Sequence, residues 1–137
     1  MIYVDTSVAL AHILDEPRAP TDEFWREPLT SSQLLEYEIW SRLHVMGIGR
    51  QKGTDARTLL RKVDLIELTP PVLARALEPF PVSVRTLDAL HLASADYLRR
   101  QGETIELASY DKRLLAGAQA MNIPICPIQR EAPGPHR

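Results

Sequence analysis

The 137-residue chain has one cysteine, Cys126. An internal disulfide is therefore excluded, a cysteine-based zinc site is disfavoured, and the usage fits a reducing compartment. Cys126 itself reads as a small buried hydrophobe. Long apolar runs are also missing: nothing approaches the roughly 18 to 20 residues of a membrane span, and the N-terminus lacks the basic-then-apolar pattern of a secretion signal. A cytoplasmic protein with no membrane association is expected. Aromatic residues are scarce at 6%, and the net charge is only −2, which gives no overall attraction to nucleic acid. Basic charge is instead concentrated locally. Between Ser41 and Val63, Arg42, Arg50, Lys52, Arg57, Arg61 and Lys62 stand against Asp55 alone, as either a phosphate-facing patch or a solvated helical hairpin.

What is present is 45% apolar content in one domain's length of chain, enough for a real core. We expect one domain over residues 1–130, followed by a disordered tail, EAPGPHR, at 131–137. Short apolar or alternating runs (IYV, Leu29–Ser31, DLIELT, TIELAS, IPICPI) alternate with segments of helical spacing. The first helix should run from Ser7 to Glu16 and stop before Pro17. A second, capped by Ser32, should end at the glycines 47 and 49, and a third should begin near Thr54. Thr69 with Pro70 and then Thr86 mark two more helix starts, Gly102 closes the second of these, and KRLLAGAQAM forms the last helix. Strands separated by helices imply right-handed crossovers and an α/β fold, a mostly parallel sheet covered on both faces. Ligands of such sheets bind beyond the C-terminal ends of the strands.

Four carboxylates fall at or near that edge. Asp5 ends the first strand, Asp111 follows IELAS, Asp88 lies in the first turn of its helix, and Glu38 lies in the second turn of its own. Three have ordinary structural readings. Asp88 complements a helix dipole, Asp111 is an N-cap, and Glu38 pairs with Arg42 one turn on. Asp5, closing an apolar strand, has no evident packing role. Clustered carboxylates repel unless a cation neutralises them, and oxygen-only ligands select hard ions such as Mg²⁺ or Mn²⁺ over zinc. Such ions polarise a phosphodiester, activate water and stabilise the leaving oxygen, which is the chemistry of metal-dependent phosphodiester hydrolysis.

The segments YVDTS, SSQLLEYEIWSRL, LDALHLASA and LASYDKRL, in this order from residue 2 to about 128, resemble those of PIN-domain ribonucleases, in particular the VapC-like toxins of toxin–antitoxin pairs. The resemblance implies a three-layer α/β/α sandwich with a five-stranded, mostly parallel sheet. It also implies an endoribonuclease that uses Mg²⁺ or Mn²⁺ and is restrained by a cognate antitoxin. By position, Asp5, Glu38, Asp88 and Asp111 match the family's acidic quartet, with Asp5, Asp88 and Asp111 as metal ligands and Thr6 and Ser109 as supporting hydroxyls. Glu36 competes with Glu38, but residues two apart face nearly opposite sides of a helix, and the family pattern places an aliphatic residue, here Ile39, after the acid. Asp96 is a possible outer contributor, and His91 reads as a packed, hydrogen-bonded brace. Trp25, Tyr37 and Trp40 suit a groove for the antitoxin, with a homodimer implied by the same analogy.

Three alternatives stand beside this reading. A haloacid-dehalogenase-type phosphatase needs D-x-D, and the third position here is Ser7. An inactive PIN-like adaptor for RNA or protein is opposed by the retention of all four acids. A nuclease acting on DNA is not separated by the acids alone, because metal-assisted hydrolysis does not use the ribose 2′-hydroxyl.

Overall fold

The computed structural model describes residues 1–128; the last two positions of the expected domain and the tail at 131–137 lie outside them. The elements are β1 (Ile2–Val4), α1 (Thr6–Ile13), a 3-10 turn (Phe24–Arg26), β2 (Leu29–Ser32), α2 (Leu34–Val45), α3 (Gly49–Leu60), β3 (Val63–Ile66), α4 (Pro70–Leu77), α5 (Thr86–Arg100), β4 (Glu106–Ala108) and α6 (Lys112–Ala120). The sheet order is β3-β2-β1-β4, and every pairing is parallel. Among the described residues, no helix is long and apolar enough to cross a membrane.

Side-chain alternation along β1 divides the interior into two cores. Ile2 and Val4 join Val8, Leu35, Ile39, Leu43 and Leu59 on one face, under α1, α2 and α3. Tyr3 joins Leu92, Leu107, Leu114 and Ala118 on the other, under α5 and α6. A parallel sheet buried on both faces gives the three-layer α/β/α arrangement.

The expected fifth strand is reduced to one parallel bridge, Leu107 to Ile125, so the sheet has four strands. Proline is the cause. Pro124, whose nitrogen lies on the side that faces β4, has no N–H to donate, and the ladder cannot extend back through it. Two bonds remain, from Leu107 N to Pro124 O and from Cys126 N to Leu107 O, both 2.8 Å.

Three helix boundaries also differ from expectation. α1 ends before Pro17 is reached, because Asp15 adopts φ 54° and the N–H groups of Asp15 and Glu16 turn back to His12 and Ala11, closing a Schellman motif. Gly47, at φ 70°, closes α2 in the same way, but Gly49 opens α3 rather than ending α2. α3 thus starts five residues before Thr54. Its glycines are spacers: a Cβ on Gly53 would stand 3.2 Å from Trp40, and one on Gly49 3.0 Å from His44, so small residues let α3 lie close on α2. Thr86 is the first residue of α5, not its cap, which is Arg85.

Candidate active site

β1 is central, and the chain crosses from it to β2 on one side and reaches β4 on the other. The C-terminal ends of β1 and β4 therefore flank the switch point where such sheets open a crevice. Asp5 follows β1 directly and is only 6% exposed. Its Oδ2 accepts from Ser7 Oγ at 2.6 Å, Ser109 Oγ at 2.8 Å and Ser7 N at 3.3 Å. Asp5 thus caps α1 as well, a packing role that the sequence did not suggest. All three donors converge on one oxygen, and Oδ1 takes none of them.

Asp111 is the N-cap of α6. Its Oδ1 accepts from Arg113 N at 2.9 Å and Leu114 N at 3.3 Å, while its own N–H donates to Ser109 Oγ at 2.9 Å. Ser109 therefore joins the two aspartates. Ser7, which was not singled out, makes the same kind of link: it receives the Tyr110 N–H at 2.9 Å while donating to Asp5. The available signal was a second hydroxyl two residues after a capping Asp, the ordinary reach of a local side-chain turn.

Asp88 has a buried Oδ2 with no hydrogen-bond partner. Its pKa is pushed up from 3.8, first by burial and then by the negative charges of Asp111 and Asp5, with a backbone hydrogen bond from Arg85 and the charge of His91 opposing. The charges of Asp5 and Asp111 thus reach Asp88.

Glu38 reaches the same region from α2. Thr6 Oγ1 donates to its Oε1 at 2.8 Å, and His91 Nε2 lies 2.6 Å from that same atom. It is turned toward α1 and α5, not paired with Arg42. Glu36 faces solvent. Burial of the His91 ring would lower its pKa, but the hydrogen bond to Glu38 and the charges of Asp5, Glu38 and Asp88 outweigh this and raise it above 6.5.

The remaining residues fall elsewhere. Asp96 is held by Arg75 at 3.1 Å and Arg100 at 3.2 Å and ties α4 to α5. Trp25 is a core residue. Tyr37 is 66% exposed, and Trp40 packs on His44 and under Arg57. In the basic segment, Lys52 is neutralised by Asp15 and Asp55, and the five arginine and lysine residues around it are exposed.

As they stand, no three His, Cys, Asp or Glu side chains among the described residues are close enough to grip one ion. The donor chemistry nonetheless fits a hard cation. Asp5, Asp111 and Glu38 each commit one oxygen to the protein's own donors, and Asp88 holds a buried oxygen that nothing satisfies. Such an orphaned atom costs free energy until something neutralises it.

Comparison with known proteins agrees with this geometry. Residues 2–119 match the family described as PIN domain. Ribonuclease VapC47 of Mycobacterium tuberculosis (strain CDC 1551 / Oshkosh) is 34% identical over 128 residues, covering 87% of this chain and 90% of its own. Ribonuclease VapC46 of Mycobacterium tuberculosis (strain ATCC 25618 / H37Rv) is 30% identical over 128 residues, covering 90% and 95%. A solved toxin–antitoxin complex from Klebsiella pneumoniae superposes with a TM-score of 0.68 at 14% identity, over 96% of this chain and 100% of that one, a likeness of fold. With a matching fold and a family match across most of its length, the chain belongs to the PIN domain family, among its VapC-like members.

Proposed function

We propose that this protein is a divalent-metal-dependent endoribonuclease, the toxin of a toxin–antitoxin pair. The observation that carries the reading is the buried, unpartnered Asp88 Oδ2 under the charges of Asp5 and Asp111, an arrangement that disfavours the metal-free fold and suits a hard cation. The relatives named as ribonucleases support the choice of RNA over DNA.

Asp5, Asp88 and Asp111 would hold Mg²⁺ or Mn²⁺, which when bound supplies charge stabilisation for the phosphodiester and acidity for the attacking water. Ser7 and Ser109 hold Asp5 in place, and the backbone of α6 holds Asp111. Glu38, fixed through Oε1, offers Oε2 to take the proton from the water. In-line attack leaves a 5′-phosphate and a 3′-hydroxyl. A cognate antitoxin protein restrains the activity, and the chain works as a homodimer in the cytoplasm.

The test is cleavage of single-stranded RNA, with DNA of the same sequence beside it, by antitoxin-free protein in Mn²⁺ or EDTA. RNA cleavage that needs the metal, carries 5′-phosphate ends and disappears in Asp88→Asn is expected. A 2′,3′-cyclic phosphate end would mean ribose attack and overturn the mechanism, and equal cleavage of DNA would overturn the substrate.

A further inference from the structure

His91 is 2% exposed and Tyr3 wholly buried, yet their polar atoms form a chain from the Tyr3 hydroxyl through the imidazole to Glu38. A carboxylate only accepts, so His91 Nε2, 2.6 Å from Glu38 Oε1, carries a hydrogen whether the ring is neutral or charged. The neutral ring then accepts at Nδ1, where the Tyr3 hydroxyl stands at 2.8 Å. In the charged ring the same hydroxyl accepts. Tyr3 also packs edge-on to the imidazole, with centroids 5.8 Å apart and planes at 81°, which fixes the ring's tilt. Thr6 adds a second donor to Oε1 from α1.

These contacts join parts of the fold that are otherwise separate. Glu38 projects from α2, which packs on one face of the sheet, and His91 from α5, which packs on the other. A glutamate has three rotatable side-chain bonds, and left alone it would spread Oε2 over several positions. Two donors on Oε1, from two elements, remove that freedom.

We propose that Tyr3 and His91 are positioning residues for Glu38, a buried relay that determines which of its carboxylate oxygens meets the reacting phosphodiester. The proposal rests on the nuclease reading and deepens it. Neither residue touches substrate; both act through Glu38.

The test has a spectroscopic and a kinetic arm. Long-range ¹H–¹⁵N spectra of the metal-free protein should place a hydrogen on Nε2 of His91, and Tyr3→Phe should shift the Nδ1 resonance while the Nε2 hydrogen stays in place. In cleavage assays, His91→Met, which has no donor, should lower kcat about 10- to 100-fold, with KM for single-stranded RNA changed by no more than about twofold. His91→Gln, which returns an N–H near the place of Nε2, should recover most of the loss. A hydrogen absent from Nε2 in the wild type, or a folded His91→Met with wild-type kcat, overturns the proposal. If His91→Met does not fold, Tyr3→Phe decides, since it keeps the buried ring, and an unchanged kcat there overturns the proposal. RNA cleavage that Asp88→Asn leaves intact, or no cleavage at all by wild type, defeats the nuclease reading instead. The NMR arm still decides whether His91 holds Glu38.

Discussion

Replacing Asp88 with Asn should change the sign of its effect on stability when metal is added. In the metal-free protein, Asp88 Oδ2 is buried and unpartnered, a situation that costs about 1–3 kcal/mol. Its folded pKa is raised above 3.8, by burial and then by Asp111 and Asp5. The sign follows from linkage. The folded state holds this proton more tightly than the unfolded one, so the group's contribution is favourable below pH 3.8 and is lost as pH rises through the raised value. At neutral pH the carboxylate is a liability, and an amide of the same shape removes its charge. The amide is itself polar and recovers only part of the cost, about 1 kcal/mol, which raises the melting temperature by about 3–5 °C in EDTA for a chain of this size. With Mn²⁺ at about 100 times its Kd, wild type gains about 2.7 kcal/mol, or about 8–13 °C. Asp88→Asn, lacking one ligand, gains less, and the order of the two melting curves reverses. Differential scanning calorimetry in EDTA and in Mn²⁺ measures both. A variant that melts below wild type in EDTA, or a wild type whose midpoint ignores Mn²⁺, refutes the reasoning.

Asp111→Ala should cost about 1 kcal/mol in EDTA through loss of the cap on Arg113 N and Leu114 N, whereas Asp111→Asn should fold as well as wild type while cleaving no RNA; urea titration and the cleavage assay check the pair. Gly117→Ala places a Cβ 2.7 Å from Leu92 Cδ1 in a closed core and should destabilise by about 1–3 kcal/mol, read from the urea midpoint; an unchanged midpoint would mean that α6 does not lie so close on α5. In EDTA, the stabilising contribution of His91, whose pKa is raised, should be present below pH 6.5 and fade as pH rises through the raised value. The urea-midpoint gap between wild type and His91→Gln should therefore narrow as pH rises above 6.5, and a gap that widens would contradict the assignment.

The sheet and its helices were legible from alternation and capping residues, because buried parallel strands and amphipathic helices leave their periods in the sequence. The fifth strand was misread because apolar content in IPICPI outweighed Pro124, which has no N–H for the ladder. Gly49 looked like a helix end because a sequence does not show the neighbour that calls for a small residue; here His44 does, as Trp40 does at Gly53. At the site, strand ends and helix starts pointed to the four acids as candidates, and the family resemblance pointed to the hydroxyls of Thr6 and Ser109. Neither revealed that Asp5 caps α1, or that His91 and Glu38, 53 residues apart, share a hydrogen bond. That contact is made over the edge of the sheet between opposite layers, and no local period encodes it.

Two of the four acids have double duty. Asp5 and Asp111 each begin a helix with one side-chain oxygen, whereas Asp88 takes only a backbone hydrogen bond from Arg85 and Glu38 serves no helix end. A gene copy released from selection for cleavage but still selected for folding should therefore decay unevenly. Asparagine, serine or threonine should accumulate at positions 5 and 111, where a side-chain acceptor is still needed, position 38 should keep an acceptor for the buried His91, and position 88, whose buried oxygen burdens the metal-free fold, should lose its charge first.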